Sequence, residues 1–253
     1  MVTRLLRLLG GGLIALSTPL LAAPAATSKT SPIVQASPEA LALAKLMSPR
    51  DLRIEGELKQ FDQNFSKTLL LDEGGKALEA QYPGLTAALA KAVRPIVAET
   101  TARIIDQAYP AMAKVLAADL TGEEIAELTA YYGSPAGQDF LRQMANSIDA
   151  SDVYRQAAKN GRVTEDAATA QAFIAGIQAT AQLSDADRQA LKALTERPVY
   201  AKLQSIQPKL MKIILDASNA PDPEYKKRIE ETMSAAFDAH VKAAAPKPGQ
   251  TSK

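Results

Sequence analysis

The chain has 253 residues, 47% hydrophobic, 23% charged and 5% aromatic, with 29 basic and 28 acidic side chains, one His, no Cys and no Trp. That balance is too apolar and too near neutral for disorder throughout, and a net charge of +1 gives no general field for nucleic acid. The absence of Cys excludes disulfide scaffolds, zinc–thiolate sites and iron–sulfur clusters.

The chain opens with Arg4 and Arg7, an apolar run from Leu8 to Leu21, and small residues from Ala22 to Ala26. This is the three-part pattern of a cleavable secretory signal peptide, expected over residues 1–25. Gly10–Gly12 and Pro19 interrupt the run, so it is a poor membrane span, which needs ~20 continuous apolar residues. Export to the periplasm or out of the cell is the expected address, with no integral span after cleavage. Losing the two leader arginines leaves a net charge of −1. Residues 26–36 are polar and Pro-containing and read as a linker.

From there helical periodicity dominates. Leu58, Phe61, Phe65 and Leu69 recur at three- and four-residue steps, as do Leu85, Leu89, Val93, Ile96 and Val97. The chain holds 48 Ala, the strongest helix former, and sustains no strand alternation. The fold class is therefore all-α, a multi-helix bundle of helical hairpins. Ser-Pro at 31–32, 37–38, 48–49 and 134–135, and Asp-Pro at 222–223, read as helix starts. Pro95, Pro110 and Pro208 lie inside periodic runs and are expected to kink or divide them.

Leu120 to Met144 reads as a helix–turn–helix corner. Thr121 with Glu124 predicts a capping box, and Leu120 with Ile125 a hydrophobic staple. Ile125, Leu128 and Tyr132 line one face, and Gly133 stands where a left-handed residue would end the helix. Ser134 and Pro135 open the next helix, and Gly137 leaves room for close packing. Phe140, Leu141, Met144 and Ile148 continue the buried stripe. The run L-T-x-E-E-I-A-E-L followed by Y-Y-x-S-P-A-G-Q resembles the signature of the exported bacterial domain-of-unknown-function family twenty fifty-nine. The likeness is good over about 25 residues and extends over roughly 60 to 160. Tyr131 stands where the family commonly has Phe. The resemblance implies a helical periplasmic protein and carries over no catalytic residue.

Shifting the motif by 63 positions brings Leu120, Thr121, Glu124 and Leu128 onto Leu183, Ser184, Asp187 and Leu191, and Pro135 onto Pro198. This reads as a degenerate second hairpin, so 37–162 and 163–243 are expected to be two related helical halves. Chance similarity between two capped helices is the alternative. Between the motifs, Ala167 to Ser184 carries no charge and is expected to be a central helix packed on all sides, with Ala172 and Gly176 allowing close approach. Residues 244–253 read as a disordered tail.

No constellation carries chemistry. His240, the one imidazole, lies near the chain end, and two-His zinc sites are impossible. Glu123–Glu124, Asp185–Asp187 and Glu230–Glu231 could serve a carboxylate-dependent hydrolase. Helix-end electrostatics and ordinary ion pairs explain them more simply. The mildly basic stretches Lys202–Lys212 and Lys226–Arg228 read as a solvated face. No catalytic, metal or cofactor residue is assigned, and no cofactor is expected. The leading expectation is a non-enzymatic envelope protein acting through contacts with another envelope protein or with itself. An apolar-ligand or lipid binder is the alternative, with Tyr131, Tyr132, Phe140, Phe173 and Tyr200 as lining candidates.

Overall fold

The computed structural model describes residues 36–149, 151 and 163–244. The predicted signal peptide, the linker before Ala36, Ser31-Pro32 and the chain after 244 lie outside the described residues.

Ten helices and no strand occur among the described residues. They are α1 (Pro38–Met47), α2 (Arg50–Leu69), α3 (Glu73–Gln81), α4 (Leu85–Asp119), α5 (Gly122–Tyr132), α6 (Pro135–Ser147), α7 (Glu165–Gln182), α8 (Asp185–Thr195), α9 (Pro198–Asn219) and α10 (Pro223–Ala244). The 35-residue α4 is the spine, ~52 Å long at 1.5 Å per residue. Helices α1, α2, α9 and α10 pack along it, and α6 carries α7 on its far side.

Pro95 and Pro110 do not divide α4, and Pro208 does not divide α9. All three sit on exposed faces, as do Lys91, Asp106 and Gln204, whose carbonyls lose their helical donor. Water can take those carbonyls, which removes the main reason to break the helix.

Two apolar clusters hang on α4. Leu85, Leu89, Val93, Ile96 and Val97 meet Phe61, Phe65 and Leu69 of α2 and Ile229 and Met233 of α10. Farther along, Ile105, Met112 and Leu116 meet Leu43 of α1, Ile125 and Leu128 of α5, and Leu203, Ile206 and Leu210 of α9. Both clusters therefore join residues from before and after 162. Ion pairs lace the spine to its neighbours: Arg94 to Asp62, Arg50 to Asp106, Lys209 to Asp119, Arg228 to Glu99 and Arg103 to Asp222. They are mostly half-exposed and contribute orientation more than stability, since such pairs are worth about 0–1 kcal/mol each.

Helix ends follow the local rules. Ser37, Ser134 and Ser184 each accept an N–H from the first turn of the following helix. Asp222 accepts from Tyr225 in the same way. Ser48-Pro49 departs from expectation. Pro49 is itself the N-cap of α2, and Ser48 ends α1. The Ser48 carbonyl instead accepts a 2.7 Å bond from the buried Tyr109 hydroxyl on α4. At the start of α4 no residue of the cap supplies an acceptor. Glu79 reaches back across the turn, accepting from Gly84 N–H at 2.7 Å and Thr86 N–H at 2.8 Å. Gly84, at φ 86°, has the one positive φ among the described residues, which suits Gly alone at low cost.

Candidate functional site

The α5–α6 corner forms as its sequence dictates. Thr121 Oγ1 accepts from Glu124 N–H at 3.3 Å, and the Glu124 carboxylate accepts from Thr121 N–H at 2.8 Å. Leu120 and Ile125 are both buried in the same cluster. Replacing Thr121 with Ala is expected to cost about 1 kcal/mol in chemical denaturation. A loss under a few tenths would show that the cap is redundant.

Gly133 is not left-handed; it sits at φ −81°, ψ −12°. Its role is steric. A Cβ there would lie 2.9 Å from the Thr129 carbonyl oxygen. The chain turns through Ser134, whose N–H and hydroxyl both donate to the Tyr131 carbonyl. The α8–α9 corner has the same local form: helices α5 and α8 are both 11 residues long, and Glu196 holds φ −83°, ψ −7° where Gly133 stands. Gly137 meets its expectation fully: its Cβ position lies inside contact distance of the Tyr131 carbonyl oxygen and 2.8 Å from Tyr132 Cα.

Of the five lining candidates, the structure gathers three. Tyr131 and Tyr132 stack edge to face at 5.2 Å, and Tyr200 packs against the same apolar cluster. Tyr132 is buried in the cluster around α4, with Tyr131 and Tyr200 packed against it. The Tyr131 hydroxyl is buried without a hydrogen-bond partner. Phe140 is only half-buried on α6, whose one buried residue is Gly137. The predicted α6 stripe therefore covers the bundle edge, where Leu141, Met144 and Ile148 are also only half-buried.

Phe173 lies apart, on α7, and overturns the expectation for that helix. Phe173 is 70% exposed, Ile177 57% and Ile174 47%. Only Ala175 and Ala179 are buried. Gly176 has no neighbour within 4 Å of a Cβ position. The reason is visible in the spacing. Ala168, Ala172, Ala175 and Ala179 form one stripe, and Phe173, Ile174 and Ile177 form another. The small stripe faces α6 and the large one faces outward. Ile174 and Ile177 were not among the sequence candidates; the uncharged run marked the helix but not its outward face.

Glu123, Glu124, Asp185 and Asp187 lie in the first turns of their helices, and Glu231 faces a lysine. Glu124 also binds Lys202 at 2.6 Å, Asp185 binds Arg188 at 3.4 Å, and Glu231 faces Lys227 at 3.9 Å. Asp187 accepts the Ser184 hydroxyl at 2.6 Å. His240 Nε2 lies 3.2 Å from the Pro83 carbonyl, joining the end of α10 to the turn before α4. No group of three or more His, Cys, Asp or Glu that could hold a metal occurs among the described residues.

The ionisable groups predict how stability depends on pH. The hydrogen bond from Lys202, aided by the Thr121 N–H, holds Glu124 below the usual carboxylate range. Arg228 does the same for Glu99. Burial pushes Glu79 up, but the Thr86 and Gly84 N–H groups outweigh it and hold Glu79 low. Depressed folded values mean that these contributions are complete above the ordinary carboxylate value of 4.5 and are lost as pH falls below it. Burial raises Tyr131 and Tyr225 to about 12, and raises Tyr132 as well. Here the sign reverses: stability is complete below the ordinary Tyr value of 10.0 and falls as pH climbs past it. Denaturant melts across pH should therefore show a plateau with losses at both ends. Tyrosinate absorbance from all seven Tyr at pH 10 in the folded protein would contradict this.

The described residues thus make an all-α bundle protein with a closed motif corner and an outward apolar helix. Residues 106–166 match the model of a family described as an uncharacterized protein conserved in bacteria (DUF2059), so over that segment the chain is similar to the family that its 120–138 motif resembles. The match runs from the second half of α4 through α5 and α6 to the first turn of α7. No curated protein and no solved structure matches. No helix of the described residues is long and apolar enough to cross a membrane.

Proposed function

We propose that this chain is an exported, non-enzymatic helical protein of the cell envelope that acts through protein–protein contacts made by the outward face of α7. The carrying observation is the inverted helix. A free surface helix gains ~1.5–3 kcal/mol for each large apolar side chain it buries, yet α7 buries Ala and exposes Phe173, Ile174 and Ile177. An apolar stripe rimmed by polar residues marks an interaction site. The leader-like start supports export, and the engagement of Glu124, Asp185, Asp187 and Glu231 in caps and ion pairs supports a non-catalytic role.

Site-specific photo-crosslinking in intact cells tests this reading. A photoreactive residue at position 173 is expected to give a discrete protein adduct in the envelope fraction. The same residue at Leu71, apolar and 75% exposed in the α2–α3 turn, is expected to give none. Equal labelling at both positions, or protein confined to the cytoplasm, would overturn the reading.

The unpartnered hydroxyl of Tyr131, beside Tyr132 and Tyr200, favours a second reading, an apolar ligand or lipid held at the α5–α9 contact with its polar end on that hydroxyl. Native mass spectrometry of protein purified from the envelope would detect such a ligand as added mass. A bare chain under gentle conditions would sink it.

A further inference from the structure

We infer that the occupant of the α7 face is a second copy of this chain, docked antiparallel on the same helix; this rests on the reading of α7 as a contact surface. The exposed stripe runs Ala170, Phe173, Ile174, Ile177 and Ala181, with Gln178 at its edge. These steps of three and four residues place it on one side of the helix.

Charge selects among occupants. No Lys, Arg, Asp or Glu lies between Ala167 and Ser184. An anionic lipid surface therefore finds no cation on the stripe, although membrane-surface helices depend on flanking Lys and Arg. A partner recognised by charge finds nothing to read either. Along the stripe itself a copy of the same face meets it without any like-charge contact, and a twofold axis makes an uncharged apolar stripe complementary to itself.

Charge also sets the direction. A parallel pair would place Glu165 and Asp166, in the first turn of α7, against their own copies. An antiparallel pair puts them at opposite ends of a helix ~27 Å long. There each meets the corner of Asp185 and Asp187, where Arg188 pairs with Asp185 and is the cation of that corner.

The area fits a small interface. Phe173, Ile174 and Ile177 together expose about 300 Å², judged from their fractional exposure and the 150–250 Å² that an aromatic side chain can bury. Two copies bring about 600 Å², so polar surface flanking the stripe has to supply the other half of a ~1,200 Å² interface. That is the lower limit for a specific dimer, so reversible exchange between monomer and dimer is expected.

The natural absence of Cys makes the test clean, because each single-Cys variant carries one thiol. Ile174→Cys lies near the twofold axis and should form a covalent dimer under mild oxidation. Ala181→Cys, at the end of the stripe, should not, because its copy lies at the far end of the pair. Leu71→Cys is the background. Sedimentation of the unmodified chain should show reversible dimers. Phe173→Glu should weaken them at least tenfold while leaving the thermal transition unchanged.

Three results would overturn the dimer: Ile174→Cys linking no faster than Leu71→Cys, Ala181→Cys linking as fast as Ile174→Cys, or a strict monomer at several hundred µM. A cellular adduct at position 173 with a mass other than twice the chain would overturn the dimer and leave the contact reading standing. No adduct of any mass would overturn both.

Discussion

Replacing Gly137 with Ala is expected to cost about 3 kcal/mol or more, at the upper end for a single added methyl group. The added Cβ would meet the Tyr131 carbonyl and the Tyr132 Cα, which are backbone and cannot rotate away. It would push α6 from α5 at the point where Ser134 caps the helix and bonds the Tyr131 carbonyl. Tyr132 would move too, and with it the cluster that holds Leu128 and Leu116. Gly56, in the middle of α2, is the internal control. Nothing lies within 4 Å of its Cβ position, so Gly56→Ala is expected to leave stability unchanged or raise it by up to ~1 kcal/mol through helix propensity. Denaturant melts of the two variants decide the point. Equal effects would mean that the α5–α6 contact yields to a methyl group.

Leu116→Ala and Leu89→Ala are each expected to cost about 2–5 kcal/mol. Both side chains are fully buried on α4, one in each apolar cluster. One continuous helix carries both clusters, and α9 and α10 return to it from the far side of 162. Each variant should therefore lower a single unfolding transition, seen alike by helical circular dichroism and tyrosine fluorescence. Two separate transitions, each moved by only one variant, would show that the clusters unfold independently.

These two predictions rest on features of different legibility. The α5–α6 corner was readable from residues 120–138, because the caps and close contacts that shape its turn span six residues or fewer. Thr121–Glu124, Leu120–Ile125 and Ser134–Gly137 are all local. The Glu79 cap was not readable, because its carboxylate serves N–H groups five and seven residues on, across a turn. Nor was the bond from Tyr109 to Ser48, which spans 61 positions. That the helices run on through the three internal prolines was not readable either, because the cost of an internal proline depends on which face meets water, and periodicity alone did not place that face on the solvent side.

Helix α7 shows the limit most clearly. Its sequence holds an Ala stripe and a Phe/Ile stripe together, and either could face the core. Hydrophobicity favours burying the large one. Close approach to α6 favours the small one, and only the assembled bundle shows that close approach wins. The site candidates divide on the same line. Tyr131 and Tyr132 come together because they are neighbours in the motif. Tyr200 joins them through the packing of α9 on the shared core, whereas Phe173 was grouped with them by type alone.

The double variant Phe173→Glu with Ile177→Glu puts that inversion to the sharpest test. Charges placed on an outward face should leave the melting temperature within about 2 °C of the unmodified protein and abolish contacts made at α7. If these side chains were core instead, each buried unpaired charge would cost several kcal/mol and the protein would melt far lower or fail to fold. An unchanged melting curve with lost crosslinking from position 174 supports the outward contact face. A collapsed melting curve, or crosslinking that survives both charges, would contradict it.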